Sequence, residues 1–256
     1  MTTLRAPAKL TWFLDITGVR KNGYHEVRSE MVSLDLCDEL IIEEDASYLR
    51  LSGEDYVRLA GVATDENNIV RRALAFVGKR AGVALHKSIP IGGGLGGGSS
   101  DAAAILRWAG YGDDIETALR LGSDVPFCLR GGRALVSGIG EEIADLEFLA
   151  RDVTLIVPDF GIDTTACYDA YDEMRAKDQL VEGRNALEAP ARLIEPRLDQ
   201  LMNWVEERFE RPVFLAGSGS TVYVEGHVQG GERRWDEPSP VGDVHVEQTA
   251  TVPKIV

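Results

Sequence analysis

The alternation of apolar and polar positions lays out strands at the start of the chain. Between residues 3 and 17, Leu10, Trp12 and Leu14 alternate with Lys9, Thr11, Phe13 and Asp15, a period-two pattern rich in strand formers. Asn22-Gly23 is a strong hairpin signal and predicts that the chain returns as a strand over Val27 to Leu36. Leu40 to Glu44 predicts another strand, and the polar residues 45 to 66 read as hairpin or loop. A helix is predicted after a cap at Asn67 or Asn68, with Ile69, Val70, Ala73, Leu74, Phe76 and Val77 on its inner face and Gly82 at its end. Val83 to Ser88 then predicts a strand.

Further along, helical spacing predicts helices from Ser99 to Trp108, from a cap at Asp113 to Leu121, from Thr164 to Met174 and from Pro196 to Phe209. Gly131-Gly132 turns into a predicted strand over Arg133 to Ser137, and Gly138 to Glu142 reads as a loop. The apolar run Val153 to Val157 predicts a strand that opens a second unit. Phe214 to Val224 reads as strand, small-residue turn and strand. Residues 227 to 243 follow neither period and read as loop or disorder, after which Val244 and Val246 start a short closing strand.

Composition narrows the class without naming a function. The chain has 256 residues, 44% hydrophobic and 27% charged, enough for one large unit or two modest ones with real cores. Its net charge of -15 argues against nucleic acid or an anionic membrane as partner, since both call for a basic surface. No apolar run approaches membrane-spanning length, and Met1-Thr2-Thr3-Leu4-Arg5 does not read as a signal peptide. Cys37, Cys128 and Cys167 are scattered and odd in number, so a reducing cytoplasmic setting is expected.

The candidate chemistry centres on Pro90-Ile91-Gly92-Gly93-Gly94-Leu95-Gly96-Gly97-Gly98-Ser99-Ser100. Glycines let backbone N–H groups converge on one point, and the helix that follows offers unpaired N–H groups and the positive end of its dipole. That is a phosphate cradle. A flexible linker fits poorly, because Ile89, Ile91 and Leu95 are apolar anchors. Gly92-x-Gly94-x-x-Gly97 formally matches a dinucleotide fingerprint, with Asp113 and Asp114 downstream, but any glycine run does so. No Gly-Lys-Ser/Thr follows, which excludes a Walker A loop.

Four other features admit two readings each. Lys9, in an apolar segment, either snorkels to solvent or works in a site. Tyr24-His25, just past the turn, is either decoration or a ring face and ring nitrogen suited to a flat heterocycle. Asp124, between a Gly-Ser turn and a Val-Pro step, is a cap or a working carboxylate. Gly217-Ser218-Gly219-Ser220 is a tight hairpin or a second backbone approach to phosphate.

Taken in order, Ala6-Pro7-Ala8-Lys9, Pro90 to Ser100, Leu121-Gly122-Ser123-Asp124-Val125-Pro126 and Ala216-Gly217-Ser218-Gly219-Ser220 resemble the GHMP kinase superfamily across roughly residues 5 to 225. The resemblance implies a two-lobed α+β fold. Residues 1–148 would form a ribosomal-S5-like ATP-binding lobe and 149–226 a ferredoxin-like lobe. Residues 227–256 would be an atypical polar segment, partly disordered, in which residues 227 to 243 stand in place of the helix that usually follows. Gly23-Tyr24-His25 narrows the resemblance to the branch acting on a cytidine diphosphate-linked methylerythritol in non-mevalonate isoprenoid biosynthesis.

What that resemblance implies is ATP-dependent phosphorylation of the substrate's 2-hydroxyl, with Asp124 as base and Lys9 as its electrostatic partner. It further implies ATP phosphates on residues 90–100 and Mg²⁺ near Ser99 or Ser100. The substrate would be held by Tyr24, His25, Thr164, Tyr168, Gly217, Ser218 and Gly219, with Tyr168 closing a base sandwich. Thr11 stands where the family usually has Asn, and Cys128 where an aromatic is common. The implied partners are ATP and the small-molecule substrate, in a monomer or homodimer. Rival readings are another small-alcohol kinase acting on mevalonate or homoserine, a non-catalytic nucleotide sensor, and a dinucleotide-dependent oxidoreductase.

Overall fold

The computed structural model describes residues 1–228 and 232–254. Its organising element is the long hairpin of β1 (Thr2–Val19) and β2 (His25–Glu44). One edge of β2 pairs with β1 along its length, and the other edge is shared by three antiparallel partners. These are β5 (Arg133–Gly138) against Val27–Val32, β4 (Ala81–Lys87) against Glu39–Glu44, and β11 (Gly242–Val252) against Ser33 and Leu34. Parallel β3 (Leu49–Gly53) on β4 and antiparallel β6 (Glu142–Asp145) on β5 extend the sheet. Helices α1 (Ile69–Phe76), α2 (Gly97–Trp108), α3 (Ile115–Leu121) and α4 (Val125–Arg130) belong to this lobe, and α1, α2 and α4 add Val70, Ala102–Leu106 and Phe127 to a core with Leu40, Ile42 and Val83.

In the second lobe β7 (Asp152–Val157) lies between β11 and β9 (Val222–Glu225), and β9 pairs with β8 (Val213–Leu215). Helices α5 (Thr164–Ala176), α6 (Glu188–Ile194) and α7 (Pro196–Phe209) bring Cys167, Ala191, Leu198, Leu201 and Val205 against Leu215, Val222 and Val246. A third apolar cluster mixes Leu10, Trp12 and Leu34 with Val153, Leu155 and Tyr223, so the lobes share a core. This is the two-lobed α+β architecture that the resemblance implies.

Several expectations are corrected. Residues 25 to 44 form one strand instead of two: Asp38, which lies between the two expected strands, is fully buried and paired. Part of the polar stretch 45 to 66 forms β3, and residues 142–145, expected in or after a loop, form β6. Phe76 is exposed instead of facing the core. Helix α1 ends at Phe76, and Gly82 lies inside β4, where a Cβ would meet the Tyr48 ring at 2.3 Å. Helix α2 begins at Gly97, ahead of the two serines. Asp114, whose carboxylate accepts from Thr117 N, caps α3 in place of Asp113. The short helices α4 and α6 had no periodic signal long enough to see.

The largest departure is the C-terminal segment, where residues 234 to 239 form β10 (Arg234–Ser239), the antiparallel partner of β11. What looked like an aperiodic polar stretch is an edge hairpin tied down by charge. Glu247 is buried and takes Arg233 Nε at 2.8 Å and Arg234 Nε at 3.1 Å. The expectation of disorder also covered residues 229–231 and 255–256, which lie outside the described residues.

Candidate active site

A break in the register of β1 creates the site. Pro7 pairs with Cys37 but Lys9 pairs with Ser33, and at this irregularity Lys9 N donates to Leu95 O of the glycine loop at 2.9 Å. Ser100 Oγ, at the start of α2, donates to Pro7 O at 2.6 Å and closes the same gap. The loop is thereby pinned to β1 directly under Lys9. Gly92, Gly94 and Gly96 adopt φ of 72°, 79° and 67°, alternating with residues of negative φ, the backbone form that turns successive N–H groups toward one side. Two of them are also needed for space: a Cβ on Gly94 would lie 2.1 Å from Ala216 O, and one on Gly96 would lie 2.6 Å from Lys9 Cγ.

Lys9 does not snorkel. It is buried, and its Nζ lies 3.3 Å from Asp124 Oδ2 and donates to Thr11 Oγ1 at 3.2 Å. Asp124 sits at the N-terminal end of α4 but makes no side-chain capping bond, so the capping reading fails and its carboxylate is left for the cleft. From the second lobe, Thr164 Oγ1 and Ser218 Oγ lie 2.9 Å apart, and Asn185 Nδ2 donates to Gly217 O at 2.7 Å. These bonds hold the Gly217-Ser218 turn beside Lys9: a Cβ on Gly217 would be 3.3 Å from Lys9 Nζ.

The resulting cleft, about 840 Å³, is lined by Lys9, Thr11, Tyr24, His25, residues 90 to 99, Asp124, Thr164, Tyr168, Gly217 and Ser218. Two expected members stand apart. Ser100 is fully buried with its hydroxyl spent on Pro7, and Gly219 does not line the cleft but faces Leu215 and Ile162. Tyr168 is in ring contact with His25, centroids 4.7 Å apart, and burial raises its phenol well above the ordinary tyrosine range.

Residues 68–132 match the GHMP kinases N terminal domain. The 4-diphosphocytidyl-2-C-methyl-D-erythritol kinase of Methylococcus capsulatus is 37% identical, over 86% of this chain and 81% of its own. The kinase of the same name from Clostridium beijerinckii is 34% identical, over 71% of each chain. The chain belongs to the 4-diphosphocytidyl-2-C-methyl-D-erythritol kinase family. A crystal structure of a 4-(cytidine 5'-diphospho)-2C-methyl-D-erythritol kinase superposes with a TM-score of 0.69 at 26% identity, covering 97% of this chain and 99% of that one.

This kinase carries one feature that sequence reasoning missed. Beneath the glycine loop, buried Lys87 on β4 is paired with Asp38 on β2 and, at 2.7 Å, with Asp101 Oδ2 on α2. Asp38 Oδ1 also accepts from Ser88 N at 2.6 Å and Ile89 N at 2.8 Å, so the cluster ties both ends of the loop together. Burial raises the Asp101 carboxyl to about 7, against the opposing pull of Lys87. For Lys87, burial works to lower the ammonium, and the charges of Asp101 and Asp38 outweigh it and raise it. The Ser-Ser-Asp that opens the helix was visible in the sequence, but its ion-pair partners come from distant strands.

Proposed function

We propose that this kinase transfers the γ-phosphate of ATP to the 2-hydroxyl of 4-diphosphocytidyl-2-C-methyl-D-erythritol, a step of non-mevalonate isoprenoid precursor biosynthesis. The observation that carries the reading is the Lys9–Asp124 pair, 3.3 Å apart, in one cleft with the glycine loop and with Tyr24 and His25. Asp124 accepts the proton of the attacking hydroxyl. Once the proton leaves, Lys9 offsets charge on the alkoxide and on the transferred phosphoryl group. A tertiary alcohol is a weak nucleophile, so positioning and charge neutralisation supply most of the acceleration.

The glycine loop and the first turn of α2 cradle the triphosphate with backbone N–H groups. Among the described residues no cluster of three metal-ligating side chains exists, so Mg²⁺ would be held mainly by phosphate and water oxygens, as its chemistry favours. Ser99, which lines the cleft, is the hydroxyl of this loop that fits it; Ser100 is committed elsewhere. When bound, the ion neutralises charge on the β- and γ-phosphates.

Mevalonate- and homoserine-type substrates have no base to hold, and Tyr24, His25 and Tyr168 in the cleft favour a substrate that has one. A nucleotide sensor would have no use for the Lys9–Asp124 pair. The test is ADP release with Mg-ATP and 4-diphosphocytidyl-2-C-methyl-D-erythritol, beside mevalonate and homoserine, with Asp124→Asn as the blank. Turnover confined to the cytidine compound and lost in the variant is expected; turnover of either other alcohol, or of none, overturns the reading.

A further inference from the structure

His25, at the tip of the β1–β2 hairpin, is held by one face of α5. Tyr168, Tyr171 and Asp172 fall at positions i, i+3 and i+4 of that helix, which places them side by side. All three meet the imidazole. Tyr168 lies against it with centroids 4.7 Å apart, Tyr171 meets it edge-on at 6.2 Å, and Asp172 Oδ1 is 3.0 Å from His25 Nε2. The imidazole is mostly buried by this grip and still lines the cleft.

The Asp172 contact decides the chemistry of the ring. An ionised carboxylate only accepts hydrogen bonds, so His25 Nε2 carries the proton and donates to Asp172. In the neutral imidazole Nδ1 then has a lone pair and no hydrogen. With Nε2 engaged, Nδ1 is the ring nitrogen left for a ligand, and in the neutral ring it can only accept. The 4-position of a pyrimidine is where this matters: cytosine presents an amino donor there, whereas uracil presents a carbonyl whose lone pairs would face those of Nδ1.

We propose that Asp172 is a positioning residue that fixes the Nε2–H tautomer of His25 and thereby selects a 4-amino pyrimidine over a 4-oxo pyrimidine. The proposal rests on the reading of the substrate as a cytidine diphosphate compound. It goes beyond that reading by assigning base discrimination to a side chain that does not touch the base. Tyr168 and Tyr171 fix the plane of the ring, and Asp172 fixes which of its nitrogens is the acceptor.

The test compares the cytidine substrate with its uridine analogue on the wild type, Asp172→Asn and Asp172→Glu, together with ¹⁵N-histidine NMR of each protein. The His25 signals are identified by their loss in His25→Asn. The wild type is expected to show a protonated Nε2 and an unprotonated Nδ1, and to favour the cytidine compound in kcat/KM by at least about a hundredfold. Asp172→Asn can face the ring with its oxygen or its nitrogen, so both tautomers appear. Its preference falls by about tenfold, through KM for the nucleoside substrate, while KM for ATP stays put. Asp172→Glu keeps a carboxylate and restores both the tautomer and the preference. A wild-type Nδ1–H, or discrimination equal in Asp172→Asn and wild type, overturns the role of Asp172 alone. Equal turnover of the two compounds by the wild type overturns the cytosine reading itself, and the proposal with it.

Discussion

Lys9 and Asp124 are unequal partners: of the side chains in their 3.3 Å ion pair, the lysine is 6% exposed, whereas the aspartate is 32% exposed. Burial costs the lysine most of its hydration, and its return is a charge held at the mouth of the cleft. Lys9→Met removes that desolvation cost along with the charge. Its expected effect is a kcat lower by about 10²–10³-fold with stability changed by no more than about 1 kcal/mol. ADP-release kinetics beside urea denaturation checks both; a variant that unfolds, or that keeps full turnover, contradicts the assignment.

Thr11 acts on the same ammonium. Its hydroxyl accepts from Lys9 Nζ at 3.2 Å. Thr11→Val keeps the shape and removes the acceptor. It is expected to lower kcat by about threefold to tenfold, with KM for ATP unchanged, and Thr11→Ser to restore it. No change in kcat for the valine variant would mean that Lys9 needs no second partner.

Tyr168 contributes ring area to the pocket of His25 and is mostly buried doing so. Tyr168→Ala is expected to raise KM for the cytidine substrate by at least about tenfold, far more than KM for ATP. Equal increases for the two substrates would place the ring elsewhere in the mechanism.

Asp101 makes the ligand-free fold sensitive to pH. Burial raises its carboxyl to about 7, so the folded chain holds a proton that the unfolded chain has already released near pH 4. The stability this supplies is fully present below about 4 and is lost as pH rises through 7. Asp101→Asn leaves an acceptor for Lys87 and has nothing to ionise. Its melting temperature relative to wild type is therefore expected to rise by several degrees between pH 5 and pH 8. A difference that stays flat across that range would show that Lys87 holds Asp101 ionised throughout.

What the sequence made legible was chemistry held in short segments. The glycine loop, the Ala-Pro-Ala-Lys strand and the Asp-Val-Pro step each carry their own local signature, and the fold brings them into one cleft. Ser100 was misjudged because a serine at a helix start looks available until Pro7, from a distant strand, takes its hydroxyl. Lys87 and Asp38 were invisible for a similar reason: one is a polar residue in an expected strand, the other falls between two expected strands, and only tertiary pairing buries them together. Asp172 carried no signal of its own in the sequence, and its meaning comes from His25, brought against it from the β1–β2 hairpin. The β10–β11 hairpin hid behind proline and charged residues, which suit an edge strand as well as a loop.

That hairpin also sets an order of events. β11 follows every other described strand in sequence, yet β2 and β7, both made much earlier, depend on it for backbone partners. Order of synthesis and order of assembly therefore disagree. While the ribosome is still making residues 242 to 252, β7 has an open edge that any other extended chain could occupy. A chaperone that shields this edge during translation would guard a seam that stays open until β11 is made.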